Sequence, residues 1–226
     1  MRGKCNNQQK QAKNMSKILF FDLETTGTRF WRNGIHQISG AVVIDGQVKE
    51  SFNLHVQPNP ACTIEQEALD VAGVTEEQVR AYPPMHEVYQ QFVAMLGKYV
   101  NKYDKKDKFT LAGYNNASFD NQFLRAWFVQ NGDNYFGSWF WSSSIDVMVL
   151  ATQALLEERT QMENFKQGTV AKYVGVPVSE EQLHDALYDI RVCMAIYQHM
   201  LPVDAPLLVN EGTPALEFVG LEGQQQ

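Results

Sequence analysis

No stretch of this 226-residue chain approaches the roughly 18 uncharged apolar residues a membrane-spanning helix needs. The opening MRGKCNNQQKQAKN lacks the apolar run of a secretory signal. Cysteine is scarce: Cys5, Cys62 and Cys193 are odd in number, far apart, and form no CxxC pair. That argues against a disulfide scaffold or a thiolate zinc site and makes a reduced, cytoplasmic setting the expectation. No oxygen-rich loop of the EF-hand kind occurs, which sets aside a calcium-storing or signalling role. Positive charge is short as well. With 19 Lys+Arg against 26 Asp+Glu the net charge is −7, a balance that counts against holding nucleic acid on a broad basic surface.

What is present is an ordinary globular composition, 44% hydrophobic and 20% charged, in a length that suits one domain. Residues 1–16 are polar and read as a flexible extension. Met15, just ahead of the first apolar run, is a candidate native start. A buried strand is expected at Ile18–Leu23, ending in the turn Glu24-Thr-Thr-Gly27. Two more strands are expected near 35–44 and 47–57, split by the hairpin signal Asp45-Gly46. Thr75-Glu-Glu-Gln78 has capping-box spacing. Helices are expected at 84–100, 118–130, 145–156, 169–174 and 183–200, with a strand at 109–112 and a solvated loop at 101–108. The Pro- and Gly-bearing residues 201–226 read as a flexible tail. Strands first, then helices mixed with a strand, indicate an α/β or α+β sheet domain.

Asp22 and Glu24 carry the first chemical signal. Positions i and i+2 of a strand share a face, so two carboxylates stand side by side at the end of an apolar strand. Either a hard divalent cation neutralises them or the strand simply ends in solvent. Asp120 stands where a helix opens, and the helix dipole alone would account for it. Asp189 lies four residues from Asp185 and five from His184, so a helix starting near His184 would let the imidazole swing back toward Asp189. Asp146 and Asp185 are adequately explained by capping or solvation, and Cys193 by packing. Trp139-Phe-Trp141 is expected in the core. Phe30 and Trp31 are read as base-stacking rings, as core packing or as a surface cluster.

In order and spacing, these segments resemble the DnaQ-like, or DEDDh, family of 3′–5′ exonucleases. The D-x-E-T motif is met by Asp22-Leu-Glu24-Thr25, N-x-x-F-D by Asn116-Ala-Ser-Phe119-Asp120, and H-x-A-x-x-D by His184-Asp-Ala186-Leu-Tyr-Asp189. The resemblance covers residues 17–200 and extends to Glu67–Thr75 and Ile145-Asp146. Tyr114-Asn115 departs from the His-Asn of many proofreading members and is more similar to the exonuclease I branch. The third motif is similar to that of ribonuclease T too, and Thr28–Gly34 matches no branch.

The resemblance implies a ribonuclease H-like fold: a mixed central sheet with antiparallel leading strands, flanked by helices. It implies two divalent ions, Mg²⁺ or Mn²⁺, held by Asp22, Glu24, Asp120 and Asp189. Asp22 would bridge both ions, and His184 would be the general base. Thr25, Thr26, Gly27, Asn116 and Phe119 would lie at the terminal nucleotide, with Phe30 and Trp31 as candidate stacking rings. The expected reaction removes nucleoside 5′-monophosphates from the 3′ end of single-stranded or mispaired DNA, with DNA ahead of RNA. An exoribonuclease, or a non-catalytic adaptor in a polymerase or repair complex, is the alternative. Five intact motif residues weigh against the adaptor. Bound cations would also change the local sign where a phosphate sits, so the acidic balance speaks against tight processive binding rather than against nucleic acid itself.

Overall fold

The computed structural model describes residues 16–179, 186–201 and 209–210. Three leading strands, β1 (Lys17–Thr25), β2 (Ile35–Ile44) and β3 (Gln47–His55), form an antiparallel meander. The turn between β2 and β3 has positive φ at both Asp45 (50°) and Gly46 (81°), the conformation a two-residue hairpin loop favours. Strands β4 (Phe109–Gly113) and β5 (Phe140–Asp146) add in parallel on the other side of β1. The short β6 (Val209–Asn210) pairs in parallel with β3, giving the order β5-β4-β1-β2-β3-β6.

Alternation along the central strand β1 divides the core in two. Leu19, Phe21 and Leu23 face a layer built by α3 (Met85–Leu96) and α4 (Asp120–Gln130), through side chains such as Phe92, Leu124 and Trp127. Phe20 faces the opposite layer, where Val147, Val170 and Ile190 arrive from α6 (Val147–Ala154), α7 (Gln167–Tyr173) and α8 (Ala186–Met200). Asp22 and Glu24 share the parity of Phe20 and so lie on the α8 side, past the end of its apolar patch. The remaining helices are short: α1 (Gln66–Ala72), α2 (Glu76–Arg80) and α5 (Phe136–Trp139). The capping box at α2 forms, with the Thr75 hydroxyl accepting from the Gln78 amide and the Gln78 side chain accepting from the Thr75 amide.

The expected elements form in the expected order, but α1, α5, β5 and β6 lie outside the expectation, β6 falling in the stretch read as a flexible tail, and two helix boundaries shift. The helix expected at 84–100 stops at Leu96, where the chain turns at Gly97. The helix expected to begin at Ile145 begins at Val147, because Ile145 and Asp146 finish β5. Strand β5 carries Ser142-Ser143-Ser144 and so lacks the apolar alternation of a half-buried strand. It is an edge strand held by its ladder to β4. Within it the expectation of a core Trp-Phe-Trp fails at one residue: Trp139 and Phe140 are buried, but Trp141 is 41% exposed.

Candidate active site

Strand β1 ends in Thr25, and the following loop is braced from within. The Thr25 hydroxyl donates to the Gly27 carbonyl, and the Thr26 hydroxyl donates to the Thr63 carbonyl while accepting from the Gly34 amide. Asn33 donates to the carbonyls of Thr26 and Thr63. A Cβ on Gly27 would sit 2.3 Å from the Asn33 amide nitrogen, so the close approach requires glycine. Of the residues expected at the terminal nucleotide, Thr26 is therefore fully committed to the fold through its side chain. Its backbone is committed as well: the Thr26 amide donates to the Gly34 carbonyl, and the Thr26 carbonyl accepts from the Glu65 amide and from Asn33.

The second motif follows β4. Asn115 adopts a left-handed conformation (φ 63°), which Asn tolerates better than most residues. Asn116 is buried and donates to Asn121, and its side-chain oxygen has no partner among the described residues. Phe119 is half-buried against the core and the ring of Phe123, with centroids 5.0 Å apart. Asp120 sits in the first turn of α4, as the sequence suggests, yet its carboxylate does more than answer the dipole. It accepts the Leu23 amide of β1 at 3.2 Å, tying helix and strand together beside the first motif.

Three elements thus aim four carboxylates at one another. Asp22 and Glu24 come from β1, Asp120 from α4 and Asp189 from the first turn of α8. Burial pushes the Asp22 carboxyl well above its ordinary range, and the charges of Asp120, Glu24 and Asp189 push it further the same way. Glu24 is raised to about 7, by burial first and by Asp189 second. Asp120 is raised by burial against the pull of its amide hydrogen bonds, with Glu24 and Asp146 adding to the rise. Among the described residues no three His, Cys, Asp or Glu side chains stand close enough to form a ready-made metal cage. The donor chemistry nonetheless fits a hard divalent cation: four carboxylates, oxygen donors only, with burial and neighbouring charge opposing the ionisation of Asp22, Glu24 and Asp120.

One contributor reads from the sequence only as a local cap. Asp146 does cap α6, accepting the amides of Met148 and Val149, but it also accepts those of Asn115 and Ala117 at 3.1 and 3.2 Å. It pins the second-motif loop from the end of β5. Its traces in the sequence are the family-like Ile145-Asp146 and an Asp ahead of an apolar helix; the loop it holds is not legible, because the strand that brings it there carries no strand pattern of its own. Phe30 rests on the core edge and meets Trp31 edge-on at 5.0 Å, while Trp31 is 70% exposed. His184 and Asp185 lie outside the described residues.

The exonuclease family model matches residues 19–197. The chain is 26% identical over 172 residues to the PolC-type DNA polymerase III of Oceanobacillus iheyensis, covering 76% of this chain and 10% of that protein. It is 24% identical over 222 residues to the DNA polymerase III epsilon subunit of Pasteurella multocida, covering 93% of this chain and 78% of the subunit. This chain therefore spans between 6% and 11% of the PolC-type relatives it matches. Among solved structures it superposes on exonuclease I with a TM-score of 0.66 at 22% identity, over 81% of this chain and 40% of that one. E. coli exonuclease I in complex with a dT13 oligonucleotide matches with a TM-score of 0.65 at 22% identity, over the same 81% of this chain and 40% of that one. The shared fold is the ribonuclease H-like mixed sheet expected from the sequence.

Proposed function

This chain belongs to the DnaQ-like family of 3′–5′ exonucleases, and from that premise we propose that it hydrolyses the terminal phosphodiester of a DNA 3′ end. The substrate is single-stranded or mispaired DNA, and the product is a nucleoside 5′-monophosphate. The observation that carries this reading is the mutual repulsion of Asp22, Glu24, Asp120 and Asp189 at one spot. A fold keeps such a cluster at a cost in stability unless the cluster serves a cation.

These four carboxylates would hold two divalent ions, Mg²⁺ or Mn²⁺. Asp22 would be the ligand shared by both ions, as the family resemblance implies, and it lies within the fields of Asp120, Glu24 and Asp189. When bound, such ions make a water a better nucleophile and stabilise the leaving 3′ oxygen. His184, at the H-x-A-x-x-D spacing, takes the proton of the attacking water. Asp120, tied to the Leu23 amide, keeps the second-motif helix in register with β1. Asp146 holds the Asn115–Ala117 loop so that Asn116 and Phe119 flank the terminal nucleotide. The Thr25–Gly27 turn, held in shape by its own hydrogen bonds, approaches the same nucleotide from the first motif.

The catalytic unit is assigned to residues 17–200, with 1–16 and 201–226 as extensions. A reducing cytoplasm suits the free Cys62 and Cys193, and no helix among the described residues is long and apolar enough to cross a membrane. The PolC-type and epsilon relatives favour DNA over RNA and make a polymerase or repair complex the partner to test. The deciding assay compares 3′- and 5′-labelled single-stranded DNA, mispaired duplex DNA and short RNA, each with Mg²⁺, with Mn²⁺ and with a chelator. Metal-dependent shortening from the 3′ end, fastest on DNA, is expected; no shortening of any substrate overturns the reading.

A further inference from the structure

The lysines of this acidic chain are not evenly spread. Residues 98–108 hold five (Lys98, Lys102, Lys105, Lys106 and Lys108) against two aspartates, Asp104 and Asp107, and Asp107 is already paired with Lys17. The sequence alone makes this segment a solvated loop. In the fold Lys98 is paired with Glu50 at 2.8 Å, and two of the others, Lys102 and Lys108, lie over aromatic rings. The Lys102 ammonium is 5.4 Å from the Tyr103 ring centre and 5.7 Å from that of Trp139, and the Lys108 ammonium is 5.3 Å from that of Trp141. Tyr103 is 86% exposed.

This surface is continuous with the candidate active site. Strand β5 starts at Phe140, opposite Phe109, and ends at Asp146, opposite Gly113, where Asp146 holds the second-motif loop. Its seven residues span ~20 Å. Beside it runs a groove of about 620 Å³ whose walls include Trp31, Ala117, Asn121, Arg125 and Trp141. Ala117 belongs to the second-motif loop, and Asn121 directly follows Asp120. The groove therefore begins beside the second-motif loop and leads along the edge strand to Trp141, over which Lys108 lies.

Building on the exonuclease reading, we propose that this edge is a single-strand track for the nucleotides upstream of the 3′ end. Trp31 and Trp141 offer base-stacking faces, and Arg125, Lys108 and Lys102 meet the backbone phosphates. Exposed rings with cations beside them suit an unpaired strand, since every base has a face to stack and no base-reading element is needed. A duplex would hold its bases paired away from such rings.

The test measures binding of fluorescein-labelled dT12 and dT3 in EDTA, where cleavage is suppressed, and then kcat/KM on both with Mg²⁺. Trp141→Ala should weaken dT12 binding about 5- to 100-fold, the usual worth of one stacked base, with a smaller loss for dT3. Trp141→Phe should restore most of it. Lys102→Ala with Lys108→Ala should reduce the slope of log K against log salt by ~0.7 for each phosphate no longer neutralised. Thermal melting checks that the variants fold. A wild type that does not bind dT12, or variants that bind it equally well, overturn the track whether or not the chain cleaves. Normal dT12 affinity in Trp141→Ala together with a lost polymerase-subunit complex would reassign the face to a protein and overturn it too. Intact track binding without cleavage supports the track and removes only the exonuclease reading.

Discussion

Two buried ionisable groups pull stability in opposite directions with pH. The folded pKa of Glu24 is about 7, above its ordinary 4.5. Between those values the folded protein binds more protons than the unfolded chain, so without divalent ions its stability falls as pH rises through that window. Glu24→Gln should flatten the fall and raise metal-free stability at pH 8, by up to about 3 kcal/mol, with little change at pH 4. His36 behaves in the reverse sense. It is fully buried with neither ring nitrogen bonded among the described residues, and burial, then His55, lowers its pKa to about 4. The unfolded chain binds the proton first, so the neutral imidazole's contribution is present above pH ~6.5 and lost as pH falls toward 4. His36→Phe should remove that acid sensitivity, read as the wild-type-minus-variant difference in melting temperature. Identical slopes would contradict it. At the same scale Asp22→Asn should abolish cleavage with the fold intact, and a variant retaining near wild-type turnover would defeat the carboxylate assignment.

Elements meet at Asp146, and that makes it more consequential than a helix cap. A lost cap typically costs ~1 kcal/mol, but this carboxylate also satisfies two amides of the second-motif loop, and hydrogen bonds to charged groups are worth roughly 1.5–3 kcal/mol. Asp146→Ala should therefore cost about 3 kcal/mol and lower kcat/KM as the loop loosens. Asp146→Asn, which keeps an acceptor, should recover part of both. An alanine variant with only a cap-sized loss and full activity would show that the loop holds its shape unaided. The contrast is Thr75→Ala at α2, far from the carboxylates, where about 1 kcal/mol of stability and no activity should be lost.

For the molecule as a whole the excess of acid still matters. A net charge of −7 opposes a polyanion everywhere except at a cation site and along the lysine-bearing edge. The chain on its own should degrade DNA distributively: with substrate in excess, all strands shorten together and intermediates fill the gel. Fully degraded strands beside untouched ones would mean processive retention. Chelation should stop cleavage at once. Adding Mg²⁺ should raise the melting temperature more at pH 8 than at pH 5, because cations stabilise a cluster that is ionised and self-repelling.

Much of this molecule is written locally. The first two motifs lie in short segments that keep their order in the structure, and the alternation along Ile18–Leu23 places Asp22 and Glu24 on one face whatever surrounds them. The hairpin at Asp45-Gly46 and the capping box at Thr75 are likewise set by chemistry within a few residues. Strand β5 is not legible, since its serines gain strand geometry only from the ladder to β4, and Asp146 therefore looks like a simple cap. Nor can Trp141 be told from its buried neighbours Trp139 and Phe140, because exposure at a sheet edge depends on which strand is last. The sequence by itself determined the motif residues and their order. Only the tertiary structure decided that four carboxylates from three elements repel one another, and that Lys102 and Lys108 lie over rings at the start of the edge strand whose far end holds the second-motif loop. Charge and burial act through space, and the chain's linear order does not specify those distances.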